Sequence, residues 1–194
     1  MNRNNYITGI ILAGGKSTRM GSDKGLLPFK NKLFVEHILE VLKALVTNVI
    51  IVSDNKDYDR FNATRVSDLI KDAGPLAGIY TGLFYSKTEN NLILSCDVPL
   101  IDIAILKQLI AEDDISFDVV QVQSQNKTMP LIALYKKRCK NHCLTLLESG
   151  ERRLRVFVDQ LKVKTIVLDK SLEKHAVNIN TEHDLNVLKN EFDD

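Results

Sequence analysis

A short apolar run ending in two glycines, Ile10-Ile11-Leu12-Ala13-Gly14-Gly15, limits what this chain can fold into more than any other stretch. It shows no polar alternation, so it reads as a strand covered on both faces, the kind found in parallel sheets. Glycines directly after such a strand let backbone N–H groups approach a ligand with no Cβ in the way, and consecutive N–H donors make a nest for anionic oxygens. A simple turn would explain the two glycines equally well. The cations that follow, Lys16, Arg19, Lys24 and Lys30, favour an anion-binding loop, because so Gly-rich a loop has no folding need for them.

The same kind of run recurs along the chain. Val49 to Val52 and Asn91 to Asp97 read as further buried strands, and Thr64 to Val66 as a weaker one. Between them, Leu33 to Val46 carries a wide apolar face at helical spacing, and residues 72 to 83, DAGPLAGIYTGL, hold a helix whose Pro75 suits a first turn. Small residues at Ala77 and Gly78 suggest that something approaches this helix closely. Asp102 is the expected N-cap of a helix over IAILKQLIA. Strands over Phe117 to Val122 and Pro130 to Tyr135 follow, then a helix over Lys140 to Leu147. A second helix opens at Glu151-Arg152-Arg153 and runs to Leu161, and Val163 to Leu168 is a strand. Thr181-Glu-His-Asp184 has a capping-box pattern that starts a C-terminal helix. Strands alternating with helices predict a three-layer α/β domain around a mainly parallel sheet, with ligands at the carboxyl ends of the strands. Gly14 to Lys24, Ser53, Asp68, Asp97 and Asn180 all follow predicted strands, so one crevice could collect them.

Composition narrows the function. With 194 residues and 44% apolar content, one domain with a sizeable core is expected over residues 1–194. The 26 basic and 25 acidic side chains leave no global field to attract nucleic acid or an anionic membrane, so any phosphate recognition must be local. No apolar run approaches the roughly 18 residues of a membrane helix, and MNRNNYITG lacks the apolar core of a signal peptide. Three cysteines, Cys96, Cys139 and Cys143, suit a reducing compartment better than a disulfide set, and a cytoplasmic location is the expectation. Cys139 and Cys143, one helical turn apart around His142, read as packing and not as a metal site.

Two familiar phosphate motifs fail on spacing. A P-loop ending in Gly15-Lys16-Ser17 needs its first glycine where Ile10 stands, and G-x-G-x-x-G fails because the next glycine after Gly15 is Gly21. Asp97, at the end of the NLILS strand and before Val98-Pro99, suits a divalent cation, since Mg²⁺ takes oxygen ligands and commonly one or two carboxylates plus substrate phosphates. A turn cap is the alternative role for such an aspartate, but its place at a strand end beside the cationic loop favours metal. No Ser-His-Asp or Cys-His grouping stands out. The chemistry suggested is positioning and charge neutralisation, as in phosphoryl or nucleotidyl transfer.

Five segments in order, LAGGKSTRMGSDKGLL, DAGPLAGI, CDVP, GERR and VNIN, resemble the molybdenum cofactor guanylyltransferases, from Ile10 to about Leu188. The resemblance implies a Rossmann-like α/β/α nucleotidyltransferase domain, its nucleotide-binding part over about 7–100 and its acceptor-binding part over about 101–194. It implies that GTP and Mg²⁺ bind, and that the terminal phosphate of molybdenum cofactor attacks the α-phosphate and releases pyrophosphate. Carried over motif by motif, Leu12, Ala13, Gly14 and Gly15 would hold the nucleotide. Arg19 and Lys24 would neutralise the phosphates, Asp97 would carry Mg²⁺, and Asp68 would meet the guanine or its ribose. Ser53 stands where the family often has Asn, which leaves its nucleotide contact open and makes Asn55 the neighbouring candidate. Arg152, Arg153, Asn178 and Asn180 would bind the acceptor. Arginines at a helix N-terminus oppose the helix dipole, which favours a functional reason for them. Proteins that deliver the cofactor, and molybdoenzymes that receive it, would be the partners.

Alternatives remain at this level. A cytidylyltransferase acting on the same cofactor, or a sugar-phosphate nucleotidyltransferase, would share the fold, although Lys16-Ser17-Thr18-Arg19 fits the guanylyl pattern better. A nucleotide-binding module without catalysis would have no need for a metal-positioning Asp97.

Overall fold

The computed structural model describes residues 7–14 and 23–192, without the side chains of residues 191–192. At its centre is β1 (Ile7–Leu12), every residue of it buried. Parallel neighbours cover both edges of this strand, β4 (Asn48–Val52) and β6 (Asn90–Ser95), with β5 (Thr64–Val66) parallel beyond β4. The other half holds β7 (Val119–Ser124), β8 (Lys127–Lys136) and β9 (Val163–Val167), giving the order β5-β4-β1-β6-β8-β7-β9. β8 runs against β6 and β7 because a two-residue turn, Gln125-Asn126, folds it back on β7. Both turn residues have positive φ, 49° and 62°, as a tight hairpin turn requires. The remaining pairings, including β7 with β9, are parallel, so the expected mainly parallel sheet is what forms.

Helices cover both faces. α1 (Phe34–Lys43) and α3 (Ile103–Ala111) bury Val35, Ile38, Ile105 and Leu109 on one side. α2 (Gly74–Tyr85), α4 (Cys139–Glu148) and α5 (Leu154–Val158) bury Leu76, Ile79, Cys143 and Phe157 on the other. Asp102 does cap α3, its carboxylate accepting from the Ala104 N–H at 2.7 Å. The small residues of α2 serve the sheet itself: a Cβ on Gly78 would stand 3.2 Å from Leu12 Cδ2, and one on Gly82 only 2.6 Å from Ile10 Cγ2. Helix and central strand thus lie closer than larger residues allow.

Three local features differ from the sequence reading. The helix expected over 151–161 contracts to α5, because the Glu151 side chain accepts from the Arg152 and Arg153 N–H groups at 2.8 and 2.9 Å and holds the chain extended ahead of it. A small hairpin, β2 (Pro28–Phe29) with β3 (Lys32–Leu33), follows the first loop; Lys30 belongs to its turn and lies over the Phe29 ring, 5.8 Å from the centroid. A four-residue helix, α6 (Lys170–Glu173), precedes α7 (Glu182–Phe192), which starts on the expected box: Thr181 Oγ1 accepts from the Asp184 N–H at 3.1 Å, and the Asp184 carboxylate from the Thr181 N–H at 2.9 Å. No described helix is long and apolar enough to cross a membrane.

Candidate active site

After β1 the chain moves to β4 and β5 on one side, then returns by α2 to β6 on the other. The strand order therefore reverses at β1, the place where open α/β sheets leave a crevice at the strands' carboxyl ends. A cavity of about 500 Å³ opens there, lined by Leu12, Ala13 and Gly14 after β1, Ser53 and Asn55 after β4, and Asp68. Asp23, Asp54 and Asp72 also reach it, along with Gly74, Pro75 and Gly78 of α2. Four carboxylates around one cavity would repel phosphate, so its walls suit the N–H and O–H donors of a base and ribose.

Asp68 is the carboxylate best placed for that work. It is half-buried, and its one described side-chain donor is Thr81 Oγ1, a long contact at 3.4 Å. Burial, and secondarily the charge of Asp54, hold its pKa above the usual carboxylate range. Gly14 lies directly against this carboxylate, since a Cβ there would stand 3.2 Å from Asp68 Oδ2. Asp54 is engaged by Lys71, which lowers its pKa. Ser53 is buried; its Oγ accepts from the Asn55 N–H at 3.2 Å, and its carbonyl from Arg65 at 3.0 Å.

Beside the cavity, past Ser95, lies a second group. Asp97 is 8% exposed, and two other segments converge on it. Asn178 Nδ2 donates to its Oδ1 at 3.1 Å, Lys24 Nζ stands 3.6 Å from its Oδ2, and its carbonyl accepts from the Ile179 N–H at 2.8 Å. The Lys24 ammonium donates instead to Asn180 Oδ1 at 2.6 Å. Asn178, Asn180, Lys24 and Asp97, distant in sequence, are thus in mutual reach. His175 helps hold the asparagines there, its Nδ1 within 3.0 Å of the Leu100 carbonyl.

The donor set fits a hard divalent cation. Among the described residues, Asp97 Oδ2 has the Lys24 ammonium at 3.6 Å and no closer partner. Asn178, whose amide nitrogen meets Asp97 Oδ1, carries a buried Oδ1 with no hydrogen-bond partner, a second candidate oxygen on a neighbouring residue. No group of three or more His, Cys, Asp or Glu forms a metal cluster among the described residues, so substrate oxygens would have to complete the shell.

Arg152 and Arg153 are not among the cavity-lining residues. Arg152 donates to the Leu147 carbonyl at the end of α4, and Arg153 pairs with Glu151, whose pKa falls to about 2 chiefly through that bond. Arg19 and Gly15, named from the sequence, lie outside the described residues, as does Lys16. Sequence reasoning passed over Asp23, which lines the cavity next to Lys24; its place in an S-D-K run after a Gly-rich loop was the available signal. The cysteines are all buried without disulfides, and burial pushes their thiols up, Cys139 to about 12, so none offers a thiolate.

The fold and this site, a donor-seeking cavity running into a lysine and a strand-end carboxylate, define a nucleotide-transferring enzyme of the three-layer α/β class. The profile of the MobA-like NTP transferase domain matches residues 9–165. A protein of Flavobacterium johnsoniae described as "Probable molybdenum cofactor guanylyltransferase" is 37% identical over 182 residues, 94% of this chain and 96% of that one. Another so described, from Carboxydothermus hydrogenoformans, is 32% identical over 92% of each. Among solved structures, molybdopterin-guanine dinucleotide biosynthesis protein A of Archaeoglobus fulgidus superposes with a TM-score of 0.81, covering 94% of this chain and 97% of that one at 22% identity, a likeness of fold. The chain belongs to the molybdenum cofactor guanylyltransferases of the MobA-like NTP transferase family.

Proposed function

We propose that this enzyme transfers GMP from GTP to the terminal phosphate of molybdenum cofactor and uses Mg²⁺. A cofactor phosphate oxygen forms the new bond to the α-phosphorus, the bond to the β,γ-diphosphate breaks, and pyrophosphate leaves. The observation that carries this reading is the union of a carboxylate-walled cavity with Lys24, Asp97, Asn178 and Asn180 at its edge.

In this reading Leu12, Ala13 and Gly14 bound the nucleoside, Gly15 joins them by its motif, and Asp68 accepts from guanine N–H groups or ribose hydroxyls. Ser53 lines the cavity as a nucleotide contact, and its Oγ also orients Asn55 by accepting from the Asn55 backbone N–H. Lys24, and Arg19 by its motif, offset charge that grows on the phosphates as pyrophosphate leaves. Asp97 and Asn178 would hold Mg²⁺, which when bound supplies positive charge to the phosphate oxygens. Asn180 keeps the Lys24 ammonium aimed at the site, and with Asn178 borders the acceptor. For Arg152 and Arg153 as acceptor ligands the support is the GERR motif alone. Residues 7–100 then carry the nucleotide and residues 101–194 the acceptor. A cytoplasmic setting suits three unpaired thiols, and proteins that bring the cofactor or take the product are the partners.

The test is pyrophosphate release by the purified enzyme with molybdenum cofactor and either GTP or CTP. Turnover with GTP, lost in EDTA and restored by Mg²⁺, is expected; turnover with CTP and not GTP would overturn the assignment.

A further inference from the structure

Asp23 sits where the two parts of the site join, and its carboxylate is unusually well held. Tyr58 Oη donates to Oδ1 at 2.5 Å, the Gly25 N–H to the same oxygen at 3.2 Å, and Asn55 Nδ2 to Oδ2 at 3.1 Å. The Gly25 bond makes Asp23 the N-cap of the one-turn 3₁₀ helix Lys24–Leu26, so this carboxylate sets the backbone from which the Lys24 side chain reaches Asn180 and Asp97. The other two donors come from a different segment. Asn55 caps the turn Lys56–Arg60 with its Oδ1, which accepts from the Asp57 N–H at 2.9 Å, leaving its amide nitrogen directed at Asp23. Tyr58, in the same turn, is fully buried.

We infer that Asp23, Tyr58 and Asn55 form a latch that positions Lys24 and ties that position to the wall of the nucleotide cavity. Asp23 and Asn55 both line that cavity, so a nucleoside seated there touches the latch while its phosphates meet Lys24. Tyr58 touches neither; it acts through Asp23 and is a positioning residue. Burial raises the Tyr58 pKa, so the hydroxyl keeps its proton and stays a donor. Gly25 makes the approach possible: a Cβ there would stand 2.3 Å from Tyr58 Oη and 3.2 Å from Cys96 Cβ, the residue before Asp97. An ordinary N-cap needs only an acceptor for a backbone N–H. Two further donors from another segment, one of them fully buried, exceed that need and fix the carboxylate's orientation.

The inference rests on the proposed nucleotide reading, so its test has one arm that needs no substrate. Tyr58→Phe removes the hydroxyl and keeps the ring. In the substrate-free enzyme, amide exchange at Gly25 read by NMR is expected to quicken, because its acceptor is no longer pinned. With GTP and molybdenum cofactor, kcat is expected to fall about 10- to 100-fold from misplacement of Lys24, with the GTP Kd within about twofold of wild type. Asn55→Asp, which keeps the cap oxygen but replaces the donor by a like charge, should lower kcat too and serves if the first variant does not fold. Unchanged exchange at Gly25 overturns the latch whatever the nucleotide. Faster exchange with normal kcat overturns its role in positioning, as does a parallel loss of GTP affinity, kcat and Tm, which a purely structural role would give. If wild type is inactive with GTP but active with CTP, the substrate assignment falls and the same split is read with CTP.

Discussion

Lys24 and Asp97 stand 3.6 Å apart, too far for a hydrogen bond and close enough to offset one another's charge. The Lys24 ammonium keeps donors for a phosphate oxygen, and Asp97 Oδ2 stays available to a cation. Replacing either by alanine should lower kcat by about 10²- to 10³-fold, the scale of losing one preorganised charged group. Circular dichroism should show a folded protein, and near-normal turnover in either variant would refute these roles. Asp68 supports a pH prediction. Its pKa is raised by burial, so its protonated form persists to higher pH than in an exposed aspartate, whereas accepting from a base or ribose requires the ionised form. GTP affinity should weaken as pH falls through that raised pKa, and Asp68→Asn should flatten the profile in calorimetric titrations. The stability linkage has the opposite sense: a raised folded pKa favours the fold below the unfolded pKa, and this is lost as pH rises through the folded value. Asp68→Asn should therefore raise Tm relative to wild type more at pH 8 than at pH 4.

At the scale of elements, α2 is both a packing unit and a wall of the site. Gly82 faces Ile10 of β1, and with no room for a Cβ the variant Gly82→Ala should destabilise by about 1–3 kcal/mol through overpacking, measured by urea denaturation. An unchanged midpoint would mean that helix and strand separate easily. Element types were largely legible in the sequence where burial and local chemistry agree: the VIIV strand, the Asp102 cap and the Thr181–Asp184 box appear where the pattern put them. The α5 boundary was not legible, since Glu151 could open a helix or hold the two following N–H groups, and the outcome depends on Arg152 reaching the end of α4. The reversal of β8 was hidden for a related reason. Buried parallel and antiparallel strands share one apolar pattern, and Gln125-Asn126 is an unmarked turn beside Asn-Gly.

For the whole molecule, the proposed division into nucleotide and acceptor parts does not divide the core. One apolar cluster joins Ile11 and Leu94 to Val120 and Ile132, and the opposite face joins Ile10 and Leu76 to Tyr135 and Phe157. Urea unfolding followed by far-UV ellipticity and by aromatic absorbance should show one coincident transition, and two separated transitions would mean that the parts fold independently. The sequence by itself determined the layer architecture, the strand-end placement of Gly14, Asp68 and Asp97, and the motif order that marks the family, because burial periodicity and backbone chemistry act locally. Only the tertiary structure decided that Lys24 meets Asn180 across 156 positions, that Arg152 and Arg153 turn to α4 and Glu151, and that Tyr58 and Asn55 reach Asp23. The Lys24 and Asp23 contacts depend on side chains from separate strand ends sharing one crevice, a distance no local pattern carries. The arginines are drawn instead to near neighbours, Leu147 and Glu151, that a helix pattern does not single out.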